Sequence, residues 1–468
     1  MEEDPSEDSY ETDPSEGSYE TPVEQEAPKA ALELTPPASP MMEHYVRAAT
    51  SLSVTEYSSP LSWPSVNQEL SEYSYPSDLD GGDGEGQTGR WWEDDEKDTS
   101  LYSPPDQDQD RPATECNLAL FVFLSFEEAI ADDEPQFTAL FVFGDSLMDP
   151  GNNNYLANSL AKANYVPYGV DFRRPTGRFC NARTIIDYLG DLLGLPLIPA
   201  YTATITLGCD ISKGVNYASA AAGILDETGQ SLGERFSLNK QVQNFEDTLN
   251  KLKGQMEEQE LKHYLANSLF VMNVGNNDYI NNYLQPSLYS TSSIYKPRDY
   301  ADLLIKHYSR QILVIRKLGL RKFLLGGIGP LGCIPSQLGT GIAPPGKCVS
   351  VVNEMIGMFN SQLKALVDQL NKDNHDSIFV YGNTFGGFTH IFNNASAYGF
   401  EVKDIGCCGV GRRITCLPLS VPCMNRDQYL FWDAFHPTQA VNQILARKAY
   451  SGSLDDCYPI NVKQMAQL

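Results

Sequence analysis

From residue 138 onward, short apolar runs alternate with longer segments of helical periodicity, and that alternation admits few architectures. The clearest strand-like runs are 140–143, 215–218, 269–274, 323–328 and 378–381, with helical patterns near 183–193, 299–318, 349–370 and 438–449. Nearly continuous apolar strands separated by helices suit a parallel sheet covered on both faces. The expected fold class is therefore α/β, a three-layer αβα sandwich. In such open sheets the working residues gather at the carboxyl ends of the strands. Three of those ends are polar: Gly144-Asp145-Ser146, Ser219-Ala220-Ala221 and Gly275-Asn276-Asn277-Asp278.

The first quarter of the chain has a different character. Residues 1–116 hold 29 Asp and Glu against 5 Lys and Arg, so −24 of the net charge of −27 lies there. This stretch repeats a nine-residue unit (Asp4 to Thr12, then Asp13 to Thr21) and has no periodic apolar run. Such a composition cannot bury enough surface to offset its ordering entropy, so a disordered acidic extension is expected over 1–116. An acidic docking tail is the functional alternative, although its composition names no partner. A basic footprint for nucleic acid is missing.

Residues 117–131 include an apolar patch, Leu118 to Phe126, followed by Ala129-Ile130-Ala131. This resembles the end of a secretory signal peptide set at an internal position; a core strand is the alternative reading. The folded domain is then expected over 132–468, and no run approaches the ~20 apolar residues of a membrane span. Nine of ten cysteines follow residue 131, and Cys407, Cys408, Cys416 and Cys423 fall within 17 positions. No C-x-x-C pair or neighbouring His accompanies them, so disulfides of unspecified connectivity are expected rather than a zinc site. That points to a secreted domain, for which Asn394-Ala395-Ser396 is a usable glycosylation sequon; a cytoplasmic or plastid location is the alternative.

Ser146 follows a strand and precedes an expected helix, where backbone N–H groups support a developing oxyanion. An ordinary N-cap serine would look the same. A serine nucleophile needs a base, and there are six histidines. His44 lies in the acidic extension, His263, His307 and His390 have no acid partner nearby, and His375 sits among solvated turn residues. His436 lies three residues after Asp433, in Asp433-Ala434-Phe435-His436-Pro437-Thr438, a spacing that lets the carboxylate hold one imidazole nitrogen while the other faces a nucleophile. An Asp capping the last helix beside a satisfied histidine is the alternative.

Taken in order, Phe143-Gly144-Asp145-Ser146, Gly275-Asn276-Asn277-Asp278 and Asp433-Ala434-Phe435-His436-Pro437-Thr438 resemble the sequence blocks of the plant GDSL esterase/lipases, members of the SGNH hydrolases. Gly329-Pro330-Leu331-Gly332-Cys333 and Cys407-Cys408-Gly409 resemble that family too. The resemblance implies a flavodoxin-like sheet and hydrolysis of carboxylic esters, lipid or other acyl esters, through an acyl-serine with no cofactor. It implies Ser146 as nucleophile, His436 as base and Asp433 as orienting acid, with an oxyanion hole from the Ser146 N–H, the Asn277 amide and a second-block N–H. At that last position, where similar proteins carry Gly, this chain has Ala220, which is expected to be the donor in preference to Gly223. The same triad would also serve an acyltransferase, and the fold alone would serve a non-catalytic binding protein.

One other motif competes. Gly229-Gln230-Ser231-Leu232-Gly233 matches the nucleophile elbow G-x-S-x-G, but no strand pattern precedes it. Walker A, H-E-x-x-H and Gly-rich βαβ signatures are all missing, so phosphoryl transfer, zinc hydrolysis and dinucleotide chemistry lack their residues.

Overall fold

The computed structural model describes residues 135–409, 411–412 and 414–468. The expectations for the acidic extension (1–116) and the signal-like segment (117–131) lie outside the described residues.

Four strands, β1 (Leu140–Gly144), β2 (Leu269–Asn273), β3 (Lys322–Gly326) and β4 (Ile378–Gly382), pair in parallel in that order, and β7 (Cys457–Tyr458) closes one edge antiparallel to β4. Strands β5 (Val402–Gly406) and β6 (Tyr429–Phe431) form a separate parallel pair. The segment expected as a strand over 215–218 lies along the free edge of β1. It makes isolated bridges only, Val142 with Asn216 and Ala200 with Asn216. Four backbone bonds between β1 and residues 213–219, such as Val142 N–H to Val215 O at 3.1 Å and Tyr217 N–H to Val142 O at 2.8 Å, still give it the place of a fifth parallel strand. With that segment outside β1, the order is flavodoxin-like.

Successive strand residues point to opposite faces, and the two faces differ. Phe141, Phe270, Phe323 and Phe379 stand in register on one face, with centroids 5.2 Å apart for Phe270–Phe323 and 4.6 Å for Phe323–Phe379. This aromatic face joins the core of helices α2 (Leu238–Lys253), α4 (Pro297–Lys317) and α5 (Ser350–Asp373). The other face carries the smaller Val142, Val271, Leu324 and Val380, which pack with α1 (Ile185–Leu192) and α7 (Gln439–Ser451). Helices α3 (Glu258–Ala266) and α6 (Thr384–Asn393) complete the layers.

Local chemistry starts these helices where they start. Thr184 and Asp187 form a reciprocal capping box on α1, and Arg178 pairs with Asp187 at 2.7 Å. Ser237 caps α2, and Pro297 occupies the first turn of α4, where its missing N–H costs nothing.

Candidate active site

Strand β1 ends at Gly144, whose N–H and carbonyl are both held by the buried Gln241 side chain of α2, at 2.9 and 2.8 Å. A side chain at this glycine would lie 2.6 Å from the Asn273 carbonyl, so only glycine lets β1 and β2 approach this closely. The chain then turns rather than entering the expected helix. Met148 and Asp149 both donate their N–H groups to the Asp145 carbonyl, at 3.1 and 3.0 Å. Ser146 is therefore presented by a tight turn, without a helix dipole behind it.

Ser146 Oγ lies 2.8 Å from His436 Nε2, and His436 Nδ1 lies 2.9 Å from each oxygen of Asp433. The Asp433 turn is locked from within. Its Oδ1 accepts the backbone N–H groups of Phe435 and His436, both at 2.8 Å, and Trp432 N–H donates to the His436 carbonyl at 2.8 Å. Pro437 follows this turn, and α7 begins two residues later with Thr438 at its N-cap. Asp433 is fully buried and His436 nearly so, packed against Phe179 with ring centroids 4.9 Å apart.

A further group, not anticipated from the sequence, completes this carboxylate. The buried Tyr168 hydroxyl donates to Asp433 Oδ2 at 2.5 Å and accepts the Cys416 N–H at 3.2 Å. Burial, followed by the adjacent Asp433 charge, pushes the Tyr168 phenol well above its usual range, so it remains a donor. Cys416 is bonded to Cys408, and Cys407 to Cys423, giving two nested disulfides behind the turn. The backbone N–H groups of Cys407 and Cys408 donate to the carbonyls of Phe431 and Trp432, which ties this cross-linked loop to the chain leading into Asp433. Cys333–Cys348 is a third disulfide, while Cys180 and Cys457 are free and buried.

The residues expected on the oxyanion side come from separate segments. Asn277, nearly fully buried in the turn after β2, donates its amide to the Ala222 carbonyl at 2.9 Å and accepts from Asn281 at 2.7 Å. These bonds fix the amide orientation and use one of its two hydrogens. Ala220 requires a correction: its N–H is engaged by Asp149 Oδ2 at 3.0 Å. The next residue, Ala221, has φ +66°, a left-handed backbone that favours glycine, and its N–H donates to no acceptor among the described residues. The same holds for the Ser146 N–H. Gly223, the other candidate, sits where a Cβ would fall 2.3 Å from Thr228 and 2.7 Å from Asp278, so its glycine serves close packing.

Three buried carboxylates brace this side. Asp145 accepts from Asn276 at 2.8 Å, Asp149 from the N–H groups of Gly151, Asn152 and Ala220, and Asp278 from Ile224, Leu225 and Thr228. Burial raises Asp145 and Asp149 to about 6 and Asp278 to about 7, against the pull of those donors. Asp145 and Asp278 belong to motifs visible in the sequence, whereas Asp149 and Tyr168 carry no spacing signal. Ser231 of the elbow-like motif lies on an exposed single turn of 3₁₀ helix with no strand before it, away from any histidine bond.

Among the described residues no group of three or more His, Cys, Asp or Glu could hold a metal ion, and no helix is long and apolar enough to cross a membrane. With that geometry in place, likeness to known proteins becomes informative. The model of the GDSL-like lipase/acylhydrolase family matches residues 140–449. The chain belongs to this family. A GDSL esterase/lipase of Arabidopsis thaliana is 55% identical over 359 residues, covering 75% of this chain and 93% of its own length. A second from that plant is 52% identical over 356 residues, covering 75% and 95%. GDSL esterase/lipase 7, also from Arabidopsis, is 52% identical over 344 residues, covering 72% and 94%. As a GDSL esterase/lipase, the chain is a serine hydrolase acting on ester bonds.

Proposed function

We propose that this GDSL hydrolase cleaves carboxylic esters through an acyl-serine formed on Ser146. His436 removes the hydroxyl proton as Ser146 attacks the carbonyl carbon, and Asp433, held by Tyr168 and two backbone N–H groups, keeps the imidazole in the tautomer that can accept it. The negative charge that develops on the carbonyl oxygen is met by the N–H groups of Ser146 and Ala221 and by the remaining hydrogen of the Asn277 amide. His436 then returns the proton to the leaving alkoxide, and water repeats the sequence on the acyl-enzyme.

The observation that carries this reading is the unbroken chain from Ser146 Oγ to His436 at 2.8 Å and on to Asp433 at 2.9 Å. Hydrolysis of p-nitrophenyl butanoate by the full chain tests it. Ser146→Ala is expected to lose about 10⁴-fold or more in kcat, together with labelling by a fluorophosphonate. Wild-type turnover in that variant would remove Ser146 from the mechanism.

The three disulfides among the described residues also favour an oxidising compartment. Secretion is the location we assign on that ground, and N-terminal sequencing of protein from its native source would test it by showing whether the segment before Asp132 has been removed.

A further inference from the structure

An apolar cavity of about 110 Å³ opens beside the catalytic residues. Leu147 and Pro437, the residues that directly follow Ser146 and His436, line it together with Asn442, and the same three line the small crevice holding Ser146 and His436. The two spaces are therefore adjacent and share these walls. From that corner the cavity descends between the aliphatic face of the sheet and helices α1 and α7, past Val271 and Leu324. Asn442, Leu445 and Ala449 of α7 all face it. At 1.5 Å per helical residue, that row spans roughly 10 Å.

Its chemistry is one-sided. No charged side chain lines it. The amides that border it are directed elsewhere, Asn273 to the Gly327 carbonyl at 2.9 Å, Asn276 to Asp145 at 2.8 Å and Asn442 to the Arg183 carbonyl at 2.9 Å. Thr384 brings the one side-chain hydroxyl to its wall, so a sugar would find few partners there, whereas a hydrocarbon would lose little.

Size then sets a limit. An apolar cavity of about 150 Å³ takes up benzene, so the smaller space here accommodates on the order of four or five carbons without movement. A staggered chain built from ~1.5 Å bonds advances about 1.3 Å per carbon, so a depth of roughly 10 Å admits about eight.

We propose that this cavity is the acyl site, and that it selects straight acyl chains of about four to eight carbons over acetyl and over long fatty acyl chains. The proposal rests on Ser146 being the nucleophile. The test is kcat/KM of the full chain on p-nitrophenyl acetate, butanoate, hexanoate, octanoate, dodecanoate and hexadecanoate. Values are expected to climb by up to about fourfold per methylene, peak between butanoate and octanoate, and fall for hexadecanoate.

Two plugs locate the site. A Cβ at Gly329 would meet nothing nearer than Thr384 Cγ2 at 4.0 Å, and both residues line the cavity, so Gly329→Val adds bulk into its upper part. It is expected to lower the octanoate-to-acetate ratio about tenfold, as the loss of one to two buried methylenes implies. Ala449→Leu, at the far end, is expected to lower octanoate relative to butanoate. A flat profile, an optimum at hexadecanoate, or ratios that neither substitution moves would overturn the proposal.

A binding measurement separates this from the mechanism. Calorimetry on the full-chain Ser146→Ala protein should show octanoate binding more tightly than acetate, with the preference reduced by Gly329→Val. Equal binding of the two acids overturns the acyl site whatever Ser146 does, while hydrolysis surviving in Ser146→Ala overturns the nucleophile and leaves the binding result to judge the cavity.

Discussion

The two sides of the active site are built differently. The proposed acid–base side is local: Asp433 and His436 are three residues apart in one turn, and that turn is closed by its own backbone bonds. The proposed oxyanion side draws Ser146, Ala221 and Asn277 from three segments that follow β1, the bridging segment at its edge and β2, and no short-range bond joins them. A local unit is positioned by its own dihedrals. A dispersed one needs the buried Asp145, Asp149 and Asp278 to pull its loops together, and burial raises all three of those carboxyls.

This contrast can be broken at either side. Asp433→Asn should have the largest effect after loss of the serine, about 10⁴-fold in kcat, because an amide facing Nδ1 favours the wrong tautomer. A fall of tenfold or less would mean that the turn, and not the carboxylate, holds His436. On the dispersed side, Asn277→Ala should cost about 10²- to 10³-fold in kcat with little change in KM, as loss of one oxyanion donor does. If KM rises instead and kcat holds, Asn277 binds substrate and does not stabilise the oxyanion.

Tyr168→Phe removes one charge-assisted hydrogen bond and should reduce kcat roughly 10- to 100-fold, the rate equivalent of ~1.5–3 kcal/mol. Because the fold also uses Tyr168 to hold the Cys416 N–H, a thermal melt must accompany the rate. A variant with an unchanged rate and a lowered Tm would make Tyr168 a structural contact only.

The braces predict a pH dependence of stability. A carboxyl whose folded pKa lies above its unfolded value binds protons on folding, so its contribution is greatest below the unfolded value near 4 and declines as pH rises through the folded value. For Asp145 and Asp149 that decline runs from near 4 up to about 6, and for Asp278 up to about 7. Acidifying from pH 8 to pH 6 should therefore stabilise the fold by on the order of 2 kcal/mol, read as a rise in Tm. A fall in Tm over that interval would show that the donors around these carboxylates outweigh burial.

Legibility in the sequence follows the same division. Leu140 to Gly144, the Phe323 strand and the long helix from Ser350 are visible because periodicity and burial act over a few residues. The 215–218 segment is only half visible, since its pattern is that of a strand while its bonding is limited to bridges along one edge. Helices α2 and α3 went unrecognised, their polar exposed faces diluting the apolar pattern. Around the site, Asp433 and His436 are readable together, whereas Ala220 is the second-block donor that the sequence offers and its N–H is held by Asp149 in the structure. Nothing local distinguishes Ala220 from Ala221; what separates them is Asp149, more than seventy residues away, taking the first N–H and leaving the second in a left-handed turn.

The sequence alone determined the layered α/β class, the family blocks and the residue types able to perform acyl transfer, because each depends on neighbours within a few positions. Only the tertiary structure decided that Tyr168 backs Asp433, that the four clustered cysteines pair as Cys407–Cys423 and Cys408–Cys416, and that the aliphatic face of the sheet leaves a cavity beside Ser146. Those features are distances between segments remote in the chain, and such distances are set by how whole layers pack, which no local pattern encodes.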